Sequence, residues 1–339
     1  MGKKRVAYLD IAKGIGIILV VWAHARGPFS NYMYLFHMPL FFLISGYLYN
    51  EDKSFKDFLF GKVKSIYIPF IMWNILAVLI KTILFPGRLT SNVKLIGQIL
   101  LTLNKDGQFF GATWFLGSLF LVSVFYKLLD TYLRDWKYRY SFIFFSFVAL
   151  AIVGFEINFP LMFSRTLILG LFYGIGHMIK RLPEEWKEFD RPLIAFFAVV
   201  VFIVVGRYNS ANMGANEYRH YFSFVFGALC ASYGVIFISR IIEQTIEIRV
   251  LKMGLCYLGR KSLDIVIWQF VAFRLVIAFQ LYREGSLLSS VLDYYPVYDV
   301  EQGWWIIYTL VGLVVPMLWG NFVRSIVKPF LKKANGVKK

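Results

Sequence analysis

Hydrophobic residues gather in ten stretches along the chain: 8–25, 31–49, 65–85, 110–129, 140–156, 160–180, 191–206, 221–242, 262–282 and 303–323. Each is close to the roughly 20 residues that cross the hydrocarbon core of a bilayer, the seventh being short. Polar residues are confined mostly to the segments between them. One such segment differs: NVKLIGQILLTL places Val93, Leu95, Ile96, Ile99, Leu100 and Leu103 at helical spacing. That predicts an amphipathic helix over about 92–103 lying at the membrane interface rather than crossing it. The pattern predicts an all-α, polytopic membrane fold, a single transmembrane domain of about ten helices over 1–339. No internal repeat is visible, which weighs against transporter folds built from inverted halves. The start, MGKKRVAYLD, runs into a long apolar stretch without a convincing small-residue cleavage site, so no cleaved signal is expected.

Composition strengthens this picture. The chain is 58% hydrophobic, against the 45–50% or so usual in soluble domains. Its net charge of +17 would suit nucleic-acid binding, but the basic residues lie between apolar stretches rather than in one patch, so no nucleic-acid partner is expected. With residues at stretch ends counted in the adjoining segment, the N-terminus, alternate loops and tail hold 26 of the 37 Lys and Arg, and the other loops hold 7. By the positive-inside rule both termini are cytoplasmic. Cys230 and Cys256, one in an apolar stretch and one in a basic loop, suggest neither a disulfide framework nor a thiolate metal site.

The first stretch, LDIAKGIGIILVVWAH, could enter a bilayer yet carries Asp10, Lys13 and His24. Ionisable groups in lipid normally face protein or a water-filled cavity. From Lys13 to His24 a helix turns through about 1100°, three turns plus roughly 20°, and advances about 16 Å. Both side chains therefore lie on one face, with Asp10 one turn before Lys13, and a central polar cavity is expected along that face. On the predicted orientation, Asp10, Lys13, His177 and Asp264 fall in the cytoplasmic third and His24, His37, Glu156 and Arg165 in the outer third. Arg274 lies between the layers. Plainer roles stand beside these. Asp10 could open a helix with Lys13 as its i+3 partner, and His24 could be an idle interfacial histidine. His177 suits a helix C-terminus, and Lys81 suits a span end where its amine reaches water. Arg165 and Arg274 cannot lose their charge, so each needs a partner or an anion. The four histidines form no i, i+4 pair and there is no HExxH, so no metal site is expected. Gly14 with Gly16, and Gly170 with Gly174, are small-residue spacings that let helices pack closely.

Arg5, Leu9, Asp10, Lys13 and Gly14 make an R-x-x-x-L-D-x-x-K-G pattern, followed by V-x-x-H ending at His24 and FHMPLFFLISG from Phe36 to Gly46. With KSIYIPFIMW, the WFL of Trp114 to Leu116, and GRKSLDIVIWQF, they resemble the integral-membrane acyltransferase-3 family, multispan O-acyltransferases of bacterial surface glycans. Two positions depart from that family. Lys13 stands where an arginine is usual, keeping the charge but losing the planar fork. Gln269 stands where many relatives have histidine, so no titrating role is expected there.

The resemblance implies a multi-pass protein of the bacterial inner membrane that moves an acyl group, most often acetyl, from cytoplasmic acyl-CoA to a sugar hydroxyl. Donor, glycan acceptor and bilayer are its partners, and no metal is implied. A sugar hydroxyl is a poor nucleophile at neutral pH, and imidazole is a suitable base. His24 would deprotonate the acceptor or be transiently acylated, with Lys13, oriented by Asp10, contacting the donor. His37, Arg165, Trp114, Arg274 and Ser45, the last within FHMPLFFLISG, would bind substrate. A transporter or flippase of an anionic or glycan substrate is the alternative, since intramembrane charges and ten spans suit it equally.

Overall fold

The computed structural model describes residues 6–84, 89–160, 162–183 and 191–336, without the side chains of residues 84, 89 and 326–336. Arg5 of the resemblance pattern lies outside them. The helices are α1 (Ala7–His24), α2 (Ser30–Tyr47), α3 (Phe55–Lys62), α4 (Ile68–Leu84), α5 (Leu89–Thr102) and α6 (Trp114–Tyr132). They continue as α7 (Arg139–Glu156), α8 (Phe163–Lys180), α9 (Pro192–Tyr208), α10 (Tyr221–Gln244), α11 (Arg249–Arg283) and α12 (Trp304–Gly336). A π turn over Val63–Tyr67 makes α3 and α4 one continuous rod. A two-stranded hairpin of β1 (Ala211–Asn212) and β2 (Glu217–Tyr218), with Ala211 opposite Tyr218, joins α9 to α10. The hydrophobic pattern does not register strands this short.

Every expected apolar stretch is helical, but seven helical segments among the described residues are long and apolar enough to cross a membrane. The three stretches that fall short are α2, α8 and α9. The last is 17 residues long. The other two match α1 in length but carry His37, and Arg165 with His177, among their apolar residues. They pack against each other in the interior, where neighbouring helices can shelter such groups. By contrast α9 leaves Leu193, Phe196, Phe197, Ile203 and Val204 exposed. Fully burying one such side chain is worth about 1.5–3 kcal/mol, so a face of this kind calls for an apolar surrounding. The stretch expected to form an interfacial helix is helical, as α5. Ile99 is buried while Val93, Leu100 and Leu101 are exposed, so its apolar residues divide between two sides.

α1 is the hub, packed by α2, α10, α11 and α12. Its crossing with α11 is a backbone contact: a Cβ on Gly14 would lie 2.1 Å from the Leu255 carbonyl oxygen, and one on Gly259 would lie 1.9 Å from that of Asp10. The α2–α8 crossing repeats the device: a Cβ on Gly46 would collide with the Tyr173 carbonyl oxygen, and one on Gly176 with that of Leu43. Of the four glycines singled out by spacing, Gly14 makes such a contact. Gly16 faces the side chains of Leu40 and Phe41, Gly170 faces the Phe147 ring, and Gly174 has only ordinary contact.

Candidate functional site

The last turn of α1 and the middle of α2 bring His24 and His37 to ring centroids 6.3 Å apart. Both line a cavity of about 280 Å³, with Tyr34, Lys105, Trp114 and Tyr295 also in its wall. The tautomers follow from hydrogen bonding. The Gln269 amide donates to the Val266 carbonyl at 3.3 Å, which turns its Oε1 toward His24. His24 Nδ1 lies 3.0 Å from that oxygen and must carry the hydrogen. His37 Nδ1 likewise donates to the Met33 carbonyl at 2.5 Å. Each imidazole therefore keeps its Nε2 lone pair, and neither Nε2 has a hydrogen-bond partner among the described residues.

Two loops and the hairpin close this end. Asp106, fully buried, accepts from the backbone N–H of Gln108 at 3.1 Å and Phe109 at 2.7 Å and is ion-paired with Lys81, while its own N–H donates to Asn74 at 2.7 Å. Lys81 is thus the half-buried partner of Asp106. The clamp fixes the loop that carries Lys105 into the cavity wall. Arg165 lies over the Trp114 ring, 5.2 Å from its centroid, and donates to the Gly214 carbonyl at 2.5 Å, tying the hairpin to α8. Arg274 does not line the cavity. Its guanidinium donates to the carbonyls of Val291 at 2.6 Å and Gln108 at 3.3 Å, and to that of Tyr294, so it braces the loop following α11.

Lys13 and Asp10 face a different space. Lys13 Nζ is 2.6 Å from Asp10 Oδ1, and both line a cavity of about 670 Å³ at the opposite end of α1, together with Lys180 and Arg260. Ile17 and Val20 occupy the α1 face between Lys13 and His24, and both are fully buried. The cavity at each end of α1 has its own lining, and no residue lines both. Ser45 lines a third space of about 330 Å³, with Lys53, Lys62 and Tyr173.

Beside that end lies a polar network, running from buried His177 to exposed Arg181, that the sequence did not suggest. His177, fully buried, accepts from the Tyr126 hydroxyl at 2.7 Å and donates Nε2–H to Glu51 at 3.0 Å. Glu51 also accepts from Tyr140 at 2.5 Å and from Arg181 at 2.9 Å. Partial burial raises the Glu51 carboxyl, but the Tyr140 and His177 hydrogen bonds and the Arg181 charge outweigh this and hold it at about 2. Asp264, on α11, is paired with Arg324 at 2.7 Å.

Sequence reasoning missed Lys105, Asp106 and Tyr295, which lie in loops where no periodicity points to a site. Gln269 was visible only as a departure from a histidine. Among the described residues no three His, Cys, Asp or Glu side chains converge to hold a metal.

The sequence model of a family described as an acyltransferase domain matches residues 6–321. The chain is also 30% identical over 142 residues to the nodulation protein NolL of Mesorhizobium japonicum (strain LMG 29417 / CECT 9101 / MAFF 303099). That similarity takes in 37% of this chain and 36% of NolL, so the chain spans little more than a third of that relative's length. No solved structure matches.

Proposed function

The chain belongs to this acyltransferase family, and on that premise we propose that it moves an acyl group, acetyl in the simplest case, from cytoplasmic acyl-CoA to a hydroxyl of a cell-surface or lipid-linked sugar. The family and the seven membrane-competent helices support a multi-pass membrane acyltransferase. The charge bias along the loops supports a bacterial inner-membrane protein with both termini inside and three further spans from α2, α8 and α9.

One observation carries the chemistry: His24 and His37 share a cavity, each with Nδ1 committed to an acceptor and Nε2 available as a base. In the proposed step His24 Nε2 takes the proton of the acceptor hydroxyl as its oxygen attacks the thioester carbonyl. The carbon–sulfur bond breaks, and the proton passes to the departing CoA thiolate. His37 holds the acceptor, and Trp114, backed by Arg165, offers an aromatic face to a sugar ring. At the far end Lys13, Lys180 and Arg260 supply the cationic surface that the phosphates of CoA require, with Asp10 orienting Lys13. The fit is one of charge and of a cavity of about 670 Å³. The acyl-bearing arm of the donor then has to pass the Ile17 position to reach His24, which requires side chains there to move.

The test is CoA release by purified protein supplied with acyl-CoA and glycan. Wild type releases CoA in proportion to glycan acylated, and His24→Ala releases none while remaining in the membrane fraction. Glycan movement across vesicles without CoA release would support a transporter instead.

A further inference from the structure

The cavity beneath the hairpin has an unusual charge balance. Among the described residues that line it there is no aspartate or glutamate, yet Lys105 is present. The Lys105 ammonium has no hydrogen-bond or ion-pair partner among the described residues; only its backbone N–H is engaged, to Asn104 Oδ1 at 2.9 Å. The nearest carboxylate, Asp106, is taken up by Lys81 and two backbone N–H groups. Arg165 adds a second positive charge beside Trp114. Burial and the Arg165 charge both push the Lys105 ammonium below the usual lysine value, and Asp106 opposes them only in part. A half-buried cation held by a rigid loop, facing a cavity without an acid, is a site waiting for an oxyanion.

We propose that the ligand of the His24 cavity carries an oxyanion, phosphate or carboxylate, close to the hydroxyl that is acylated, and that Lys105 binds it. The ligand is an acceptor only if the acyltransferase reading above holds, whereas the anion preference does not depend on it. A neutral sugar would leave Lys105 uncompensated. The donor's phosphates are a poor alternative occupant, because the cations suited to them line the cavity at the other end of α1. Two sources share the required chemistry: a lipid-linked sugar phosphate and a free sugar acid.

The experiment measures binding to the purified full chain in nanodiscs, with an isoprenyl-phosphate hexose, glucuronate and glucose as probes. At least one anionic probe should bind about tenfold or more tighter than glucose, the least one charge-assisted hydrogen bond supplies. Lys105→Gln should lose that preference, and Lys105→Arg and the exposed-surface control Lys94→Gln should keep it. Preference for the isoprenyl phosphate alone identifies a lipid-linked ligand, and preference for glucuronate a sugar acid. Equal binding of all three probes, or a preference that survives in Lys105→Gln, overturns the proposal. Lys105-dependent anion binding without any acyl transfer would refute the acyltransferase reading while leaving this one standing.

Discussion

Nδ1 of His24 donates to Oε1 of Gln269 across 3.0 Å, linking α1 to α11 over 245 residues of chain. The amide can do this because its own N–H₂ is held by the Val266 carbonyl. A histidine at position 269 could orient His24 in the same way, so the departure from the family exchanges a titrating partner for a neutral one while the ring stays fixed. Gln269→Leu removes the acceptor and lets His24 sample the unproductive tautomer. A partner of this kind commonly matters by about 10–100-fold, and a kcat loss of that order is expected. The KM for acyl-CoA should not change if the donor is held in the Lys13 cavity, which shares no lining residue with this one. Unchanged kcat in Gln269→Leu would show that the tautomer is set by something else.

The α1–α11 crossing has no space for a methyl group. Gly259→Ala would drive a Cβ into the Asp10 carbonyl, a backbone atom that cannot move without displacing the Asp10–Lys13 pair. Folded yield, read as the monodisperse peak on size-exclusion chromatography in detergent, should fall sharply. Gly254→Ala, five residues away on the same helix with nothing within 4 Å, should behave as wild type. Equal yields from the two variants would mean that the helices can separate at little cost.

These two relationships also mark how far the sequence could be read. Helical rotation alone placed Lys13 and His24 on one face, and the structure keeps them there. Rotation says nothing about what fills that face, where Ile17 and Val20 lie fully buried and Val20 forms part of the His24 cavity wall. His37, Trp114 and Arg165 were legible because intramembrane charges and family motifs draw attention to them. Ser45 and Arg274 were named on the same grounds, but fall in another cavity and in a loop brace. Lys105 and Tyr295 reach the cavity from loops, where position depends on the Asp106 clamp and the Arg274 contacts rather than on any local pattern. Gly46, Gly176 and Gly259 were hidden for a related reason: each is small because of a carbonyl on another helix.

Glu51 provides a pH dependence whose direction is determined. Its carboxyl sits at about 2 against an ordinary 4.5, so ionised Glu51 favours the folded chain. The stabilisation is fully present above the ordinary value and is lost as pH falls from 4.5 through about 2. Glu51→Gln should lower the thermal midpoint in detergent at neutral pH, because Arg181 loses its carboxylate. The gap between wild type and variant should stay constant above about pH 5 and close on further acidification. A gap that widens in acid would mean that Glu51 is protonated in the folded protein.

Lys13 tests whether the two cavities divide the substrates between them. Its ammonium is 2.6 Å from Asp10 and shares the larger cavity with Lys180 and Arg260, three cations against one carboxylate among the charged lining residues. If this surface holds the donor's phosphates through charge, Lys13→Arg should retain most activity, since phosphate accepts either cation. Lys13→Gln should raise the KM for acyl-CoA by about tenfold, as expected for one charge-assisted contact. Added salt should weaken donor binding less in Lys13→Gln than in wild type, because part of the screened attraction is already gone. The acceptor KM should be unmoved in both variants, since Lys13 and His24 line different cavities. A rise in acceptor KM with an unchanged donor KM would place the acceptor at the Lys13 end and reverse the assignment of the two cavities.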